Sequence, residues 1–313
     1  MTGLSEDPAV EADRYRAAIE MAVYAEAHGV QTVNLEEHHC ADNGWLPAPL
    51  TLAAMIIART KRVRVNVGAL LVTLYDPIRL AEDIAILDLV GGGRFSFVAG
   101  LGYRPLEYHA TGRSWADRGQ LMDECLETLL QAWSGKPFEY RGKTLRVTPS
   151  PVSRPHPFFM VGGMSPVAAR RAARFGLPFH PPTERPDLEE IYRDELARQG
   201  KQGLYVSPGK GNTMLIVDED PHAAWPELAP YFLRELQEYS SWKQEGVPRP
   251  GEDEVHSVED LREQGRFTIL NAADFRLRFQ GPEAGSAVVH PLAGGIPIDR
   301  GWEILERFCE ALA

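Results

Sequence analysis

The chain has 313 residues, of which 44% are hydrophobic and 25% charged, so it is long enough for one α/β barrel or for two ordinary soluble domains. Its net charge of -11 argues against nucleic acid as a partner, because phosphate binding needs a basic face. It has no apolar run of the ~20 residues that a membrane span needs, and no signal-like N-terminus. Three scattered cysteines fit a reducing compartment. We therefore expect a cytoplasmic protein without membrane or nucleic-acid partners.

Apolar, strand-like runs alternate with helical patterns along the sequence. Helices are predicted at 10–29, at 49–60, from Asp76-Pro77 onward, at 116–134, at 222–242 and at the C-terminus. Core strands are predicted near residues 31, 63, 94, 157, 177, 213 and 286. This alternation has no strong break, so it predicts a single domain over residues 1–313 with a parallel sheet.

Three features interrupt this regular pattern. Residues 136–148 predict a small hairpin outside the main alternation, and residues 246–256 predict a polar, mobile segment. A closed barrel needs eight strands, whereas seven are predicted. The absent one is expected before helix 10–29, where residues 1–9 contain no strand-like run. Either the sequence begins late, or another segment fills that position.

Titratable side chains follow two of the predicted strands. The run Val33–His39 ends in Glu37-His38-His39, and Arg94–Arg104 leads into Gly100-Leu101-Gly102-Tyr103-Arg104. The carboxyl ends of parallel strands build the active sites of α/β barrels. The two strand ends therefore predict one shared pocket, and an enzyme is the favoured interpretation.

Five motifs in chain order resemble those of the bacterial luciferase-like flavin-dependent oxidoreductases. They are Glu37-His38-His39, Asn66-Val67-Gly68 with Pro77–Asp83, Gly93-Arg94-Phe95 with Gly100-Leu101-Gly102, Asp117-Arg118-Gly119, and Gly162-Gly163-Met164-Ser165. The resemblance implies a (β/α)8 TIM barrel, a homodimer, and reduced FMN supplied by a separate flavin reductase. Its usual chemistry is oxygen insertion through a C4a-peroxyflavin or, with the deazaflavin F420, hydride transfer. The cofactor tail of F420 is acidic, which the net charge of -11 does not favour.

By this resemblance His38 is the catalytic residue, near the reactive edge of the flavin. Imidazole exchanges protons near neutral pH, although a histidine at a strand end can also simply pack or bind backbone. His39 is expected to point to the opposite face. Glu37 either orients an imidazole or caps a helix. A metal site is not expected, because adjacent histidines on a strand diverge and no second ligand cluster is present.

The resemblance also implies which residues bind the cofactor. Leu70 and Leu71 form an apolar floor under the flavin ring or ordinary barrel core, and Gly100, Leu101 and Gly102 allow a flat ligand to approach. For the phosphate, the turn Gly162-Gly163-Met164-Ser165 offers backbone N–H groups at a helix start. Arg118 adds a bidentate cation, unless it forms a surface salt bridge with Asp117 or Asp123.

Four residues are predicted to contact substrate: His39, Trp45, Tyr75 and Tyr103. The rings of Trp45, Tyr75 and Tyr103 indicate an apolar or aromatic substrate, although loop aromatics are often only packing. The resemblance implies that a small apolar organic substrate is oxidised with dioxygen. The predicted absence of one strand leaves a second class open, a non-catalytic flavin-binding or scaffold subunit.

Overall fold

A computed structural model describes residues 7–208, 214–243, 255, 257–279 and 285–313. The predicted mobile segment 246–256 lies outside the described residues, except for Val255. Within the described residues the α-helices are α1 (Pro8–Ala27), α2 (Pro49–Arg59), α3 (Pro77–Gly91), α4 (Pro105–Ala110), α5 (Arg118–Trp133), α6 (Pro166–Phe175), α7 (Pro186–Arg198), α8 (Pro221–Ser241), α9 (Val258–Gln264), α10 (Ala272–Arg278) and α11 (Ile298–Leu312).

The strands form two parallel sheets and one hairpin. They are β1 (Thr32–Leu35), β2 (Arg64–Leu70), β3 (Phe95–Ala99), β4 (Phe138–Tyr140), β5 (Lys143–Leu145), β6 (Phe159–Gly162), β7 (Phe179–His180), β8 (Met214–Val217), β9 (Phe267–Leu270) and β10 (Val288–Val289). The five-stranded sheet has the order β1-β2-β3-β6-β7, and the three-stranded sheet has the order β10-β8-β9. The antiparallel pair β4–β5 confirms the hairpin predicted at 136–148.

The chain divides into two compact units, and the five-stranded sheet belongs to the unit formed by Thr32–Cys40 and Leu46–Pro208. One face of this sheet packs against helices. Phe97 stacks on Phe159 with ring centroids 4.9 Å apart, and Trp133 of α5 packs edge-on against Phe159. Because side chains alternate along a strand, polar residues lie on the opposite face. There, hydrogen bonds join Asn34, Asn66 and Ser96 across three strands.

The second unit comprises Met1–Gln31, Ala41–Trp45 and Gly209–Ala313, and it contains the three-stranded sheet. The helices α1 and α11 supply Met21 and Phe308 to a buried cluster that also contains Leu215 and Val217 of β8. On α8, Phe232 stacks on Phe267 of β9 with ring centroids 4.2 Å apart. Each strand of this unit therefore has apolar helix side chains packed against it.

The predicted strand count was wrong by one. The described residues contain eight strands in parallel pairing, because Phe267–Leu270 forms β9, which pairs with β8 along its whole length. Four residues were too short a run to distinguish from the helical segments around them. Residues 1–6 lie outside the described residues, so the absence of a strand before α1 stays a prediction. The single domain over 1–313 also stays a prediction.

Helix α3 illustrates how local sequence sets these boundaries. Asp76 caps its first turn by accepting hydrogen bonds from the backbone N–H groups of Ile78 and Arg79, and Pro77 occupies the first helical position. Gly92 ends the helix in the left-handed conformation, with φ of 58°. In the described parts of the chain, no helix combines the length and the apolar character that crossing a membrane requires.

Arg94, at the start of β3, fixes the end of α2. Its guanidinium group donates hydrogen bonds to the carbonyl oxygens of Ile57, Thr60 and Val63, at 3.2, 3.1 and 2.7 Å. It also donates to the hydroxyl of Thr60 at 3.2 Å. Carbonyl groups at a helix C-terminus lack intrahelical partners, so this one cation satisfies several of them at once.

Replacement of Arg94 by Ala should lower the free energy of unfolding by about 2 kcal/mol, since a half-buried set of charge-assisted hydrogen bonds is lost. Chemical denaturation followed by circular dichroism measures the change. Arg79→Ala is the matched control, because Arg79 forms only an exposed ion pair with Asp83 and should change stability by less than about 0.5 kcal/mol. Equal effects of the two substitutions would contradict the role given to Arg94.

Candidate active site

The loops that follow β1, β2 and β3 meet at one edge of the five-stranded sheet. These strands are parallel neighbours, with Leu35 paired to Val67 and Val67 paired to Phe97. Their carboxyl ends therefore lie side by side, and the residues after them come together. The structure thus gathers Glu37–His39 and Gly100–Arg104, the two strand ends predicted to share a pocket.

His38 is buried, with 7% of its surface exposed, and hydrogen-bonding groups lie at both ring nitrogens. Its Nδ1 atom faces Glu107 Oε1 at 3.3 Å, and its Nε2 atom faces the hydroxyl of Tyr103 at 3.4 Å. The rings of His38 and Tyr103 pack edge to face. A carboxylate can only accept from Nδ1, so it favours the tautomer that carries its proton there. Nε2 is then the atom able to take a proton.

Glu107 was missed by the sequence analysis. It lies on α4, is fully buried, and its Oε1 atom also accepts hydrogen bonds from the His39 N–H at 3.0 Å and from Arg104 Nη1 at 3.4 Å. Its Oε2 atom has no hydrogen-bond partner among the described residues. The available signal was an acidic residue inside the short apolar helix that directly follows the Gly100–Arg104 loop.

Arg104 ties the two strand-end loops together. Besides its contact with Glu107, it donates from Nη1 to the His39 carbonyl at 2.6 Å and from Nη2 to the Cys40 carbonyl at 3.2 Å. The side chain is buried, so it holds the loop after β1 in place from the loop after β3.

Glu37 is a second buried carboxylate at this edge, and it orients His39. Its Oε1 atom faces His39 Nε2 at 3.0 Å and accepts a hydrogen bond from the hydroxyl of Tyr75. The hydrogen bond with Glu37 is the largest cause that raises the pKa of His39 above its ordinary value. Glu37 therefore orients an imidazole, which is one of its two predicted roles. The imidazole rings of His38 and His39 contact different carboxylates, those of Glu107 and Glu37.

A cavity of about 320 Å³ lies beside His39 and Tyr75. Both residues were predicted to contact substrate. The other lining residues come from the loop before α2 and its first turn, from the turn after β2, and from α3 and the end of α4: Pro47, Ala48, Leu50, Thr51, Leu74, Asp83 and Thr111. Neither the predicted catalytic residue His38 nor the predicted substrate residue Tyr103 lines this cavity. The predicted site residues therefore lie in two places, with His38 and Tyr103 in one and His39 and Tyr75 in the other.

Leu70 and Leu71 are both buried where β2 ends. The backbone is irregular just before them: a cis peptide joins Gly68 to Ala69, and the pairing with β3 shifts register between Gly68 and Leu70. The Leu70 carbonyl accepts a hydrogen bond from the Gly100 N–H at 2.8 Å.

The local backbone geometry favours glycine at both positions after β3, Gly100 and Gly102. A Cβ atom on Gly100 would lie 2.8 Å from the Cβ atom of Ala69, and Gly102 has a φ of 74°. Between them, the Leu101 carbonyl accepts hydrogen bonds from the hydroxyls of Tyr108 and Thr73. Close approach of these residues to a flat ligand stays a prediction.

The predicted phosphate-binding residues lie on neighbouring elements. Ser165 caps α6, where its side chain accepts a hydrogen bond from the Ala168 N–H. Gly163 packs so closely on α6 that a Cβ atom would lie 2.5 Å from that of Ala168. From α6, Arg171 donates to Asp123 Oδ1 at 2.6 Å and to the Gly119 carbonyl at 3.2 Å, which joins α6 to the start of α5.

Arg118 lies at that start of α5. Its guanidinium group lies 4.2 Å from the ring centre of Trp115 and donates to the Trp115 carbonyl at 2.8 Å. Asp123 is instead paired with Arg171 and Arg174, so the salt bridge considered for Arg118 and Asp123 does not form. A second arginine near this turn, missed by the sequence analysis, is Arg185. It donates to the Met164 carbonyl at 3.3 Å and pairs with Asp187 at 2.6 Å.

Trp45 has a different environment from the other predicted substrate residues. It belongs to the unit that contains α8, it is only 4% exposed, and it packs edge-on against Tyr239 with ring centroids 4.5 Å apart. Trp242 completes this aromatic cluster. Contact of Trp45 with substrate stays a prediction. Among the described residues, no group of three or more His, Cys, Asp or Glu side chains is arranged to hold a metal ion.

Comparison with known proteins identifies relatives of the chain. The alkanal monooxygenase beta chain of Vibrio harveyi is 25% identical over 283 residues, which cover 85% of this chain and 86% of that protein. A Sinorhizobium fredii protein, y4vJ, is 29% identical over 166 residues. That match spans 51% of this chain and about half, 47%, of the relative.

Solved structures share the fold. The monooxygenase RslO1 from Streptomyces bottropensis has a TM-score of 0.74 and 22% identity, covering 98% of this chain and 95% of that chain. The oxygenating constituent of 3,6-diketocamphane monooxygenase from Pseudomonas putida, in complex with FMN, has a TM-score of 0.66 and 17% identity, covering 99% and 96%. An F420-dependent secondary alcohol dehydrogenase has a TM-score of 0.66 and 20% identity, covering 95% and 94%.

These likenesses confirm the predicted fold class, the TIM-barrel type of the luciferase-like proteins. The family model of the luciferase-like monooxygenases matches residues 1–272. The resemblance predicted from the five motifs is therefore confirmed. The prediction of a luciferase-like monooxygenase or oxidoreductase is confirmed with it. The chain belongs to the luciferase-like monooxygenase family.

Proposed function

We propose that this chain uses reduced FMN and dioxygen to oxygenate a small apolar organic substrate. One observation carries the proposal: the imidazole of His38 lies between the buried carboxylate of Glu107 and the hydroxyl of Tyr103. This group is located where three parallel strands end, which is where barrels of this type place their chemistry. Buried titratable groups that contact one another at such an edge are the usual candidates for an active site.

The residues at this edge fit a flavin. Leu70 and Leu71 offer a buried apolar surface at the end of β2. The Oε2 atom of Glu107 is a buried polar atom without a partner among the described residues, and it lies 3.5 Å from where a Cβ on Gly102 would be. Buried polar atoms are nearly always paired in proteins, so a donor from a bound ligand is a natural partner for it.

The proposed phosphate site combines a helix N-terminus with two cations. The turn Gly162–Ser165 leads into α6, whose first N–H groups and dipole favour an anion. Arg185 contacts this turn through Met164, and Arg118 lies at the start of α5, which Arg171 ties to α6. A guanidinium group can bind phosphate through two parallel hydrogen bonds.

When bound, reduced flavin supplies the electrons that activate dioxygen. The contribution of the protein is to move a proton and to exclude water. Glu107 holds the proton of His38 on Nδ1 and stabilises the imidazolium that forms when Nε2 takes a second proton. The Tyr103 hydroxyl is positioned to pass a proton to or from Nε2. Leu70 and Leu71 exclude water from the same edge.

The substrate and the reductase are also part of this proposal. Tyr103 borders the His38 group, so it contacts the end of the substrate that reacts, whereas His39 and Tyr75 border the separate cavity. The neighbour from Pseudomonas putida is the oxygenating constituent of its monooxygenase. By analogy, a separate flavin reductase supplies this chain with reduced FMN.

A homodimer completes the proposal. The helices α2 and α3 pack against each other and expose large apolar side chains: Met55, Ile86, Leu89 and Val90. On α3 these residues have the spacing of a single helix face. Exposed apolar patches mark interfaces, and a two-fold dimer buries the same patch of both copies. We therefore assign this face to a second copy of the chain.

An anaerobic titration with photoreduced FMN, and a parallel one with reduced F420, tests the cofactor. We expect FMN to bind at least about tenfold more tightly, since the net charge of -11 disfavours an acidic cofactor tail. Tighter binding of F420 would instead favour hydride transfer. Binding of neither would leave a non-catalytic subunit.

Replacement of His38 by Asn or of Glu107 by Gln should slow the reaction of the bound reduced flavin with dioxygen and substrate by about 100-fold, because proton transfer is lost. Stopped-flow absorbance measures the rate, and the FMN affinity of His38→Asn should change by less than about threefold. His28→Asn is the control, since His28 is an exposed histidine that stacks on Tyr24. A His38 variant that reacts as fast as the wild type would contradict the proposed role.

Replacement of Val90 by Glu should convert the dimer into monomers, because it places two charges in the proposed interface. Size-exclusion chromatography with light scattering measures the mass. Leu277→Glu is the control, since Leu277 is even more exposed but lies on α10. A monomeric wild-type chain, or a dimer that survives Val90→Glu, would contradict this assignment.

A further inference from the structure

The carboxylate of Glu37 joins two segments of the chain. Glu37 is only 2% exposed, and its Oε2 atom accepts a hydrogen bond of 2.6 Å from the Leu71 N–H. The other oxygen, Oε1, contacts the Tyr75 hydroxyl and His39 Nε2. One buried anion therefore connects the loop after β1 to the turn that follows β2.

Both groups that contact Oε1 of Glu37 can donate a hydrogen bond to it. Burial and the charge of Glu37 raise the pKa of Tyr75, so its hydroxyl stays protonated and donates. The hydrogen bond with Glu37 raises the pKa of His39, which favours the imidazolium opposite the carboxylate. A buried carboxylate needs such partners, because burial without them is costly.

The contact on Oε2 lies at the proposed flavin floor. Leu71 comes directly after Leu70, whose carbonyl accepts from the Gly100 N–H. The side chain of Leu71 reaches Gly102, where its methyl carbons lie 3.5 Å from where a Cβ would be, and it packs with Leu74 and Tyr108. The Leu71 N–H is thus the point where Glu37 holds this turn.

We propose that Glu37 is a positioning residue that sets the location of the Leu70-Leu71 floor relative to His38. The inference rests on the proposed function, in which the flavin ring lies against Leu70 and Leu71. Glu37 is two residues from Leu35, the end of β1, and it directly precedes His38. Its carboxylate therefore transmits the position of the His38 loop to the backbone of Leu71. Loss of this hydrogen bond displaces the floor without removing any group that touches the reacting atoms.

Two substitutions separate this role from general stability. Glu37→Met keeps the length of the side chain but leaves the Leu71 N–H without an acceptor. Tyr75→Phe removes a donor from the same carboxylate and leaves its contact with Leu71 intact. The first readout is amide hydrogen exchange at Leu71, which needs no flavin. The second is the dissociation constant of photoreduced FMN under anaerobic conditions.

For Glu37→Met we expect exchange at Leu71 to accelerate by about tenfold or more and reduced FMN to bind about tenfold more weakly. Tyr75→Phe should change both quantities by less than about threefold. Unchanged FMN affinity in folded Glu37→Met would overturn the inference. The inference would also be overturned if both variants lost FMN affinity in proportion to the fall in their melting temperatures. That result would indicate a purely structural role for Glu37.

Two further results keep the test decisive. If Glu37→Met does not fold, Glu37→Gln is used, because glutamine keeps an oxygen that can accept from Leu71. It should then retain FMN affinity within about threefold while the titration midpoint of His39, measured by NMR, falls. A ten-fold loss of affinity with slow Leu71 exchange would contradict the inference. If the wild type binds no flavin, the proposed function fails. Amide exchange at Leu71 still tests the hydrogen bond from the Leu71 N–H to Glu37.

Discussion

The parallel pairing of β1, β2 and β3 is the constraint on which the candidate site depends. Because these strands are neighbours and run in the same direction, three loops that are far apart in sequence emerge at one edge of the sheet. Two buried carboxylates then connect them. Glu107 holds the loop after β1 through His38 and the His39 N–H, and Glu37 holds the turn after β2 through the Leu71 N–H. Side-chain hydrogen bonds therefore connect all three loops at this edge.

Two buried carboxylates so close to each other require compensating donors. Arg104 donates to Glu107 and to two carbonyl groups of the His39–Cys40 loop, while Tyr75 and His39 face Glu37. Removal of one member of such a set leaves a charge buried without its partner, which costs more than the hydrogen bond itself. This distribution also gives the two imidazoles different partners. The Nε2 atom of His38 faces the hydroxyl of Tyr103, whereas the Nε2 atom of His39 faces the carboxylate of Glu37.

The sequence predicted the fold class, the hairpin and the gathering of the Glu37 and Gly100 loops, because strand periodicity and the order of elements are local properties. It missed β9, since the four residues Phe267–Leu270 carry too little pattern. It missed Glu107 and Arg185 because their contacts with His38 and Met164 span 69 and 21 positions of the chain. It did not predict that Trp45 packs against Tyr239 on α8. Sequence spacing shows which side chains leave a strand end, and only the packed structure shows which partners they meet.

A crystal structure of the chain with bound FMN tests the central claim most directly, because it locates the flavin ring relative to the two places that the candidate residues occupy. The account predicts that the ring lies against Leu70 and Leu71, with His38 beside its reactive edge and the phosphate at the Ser165 turn. A ring in the cavity lined by His39, Tyr75 and Asp83 would contradict the account. It would show that the His38–Glu107 pair serves the structure of the sheet edge and does not serve the reaction.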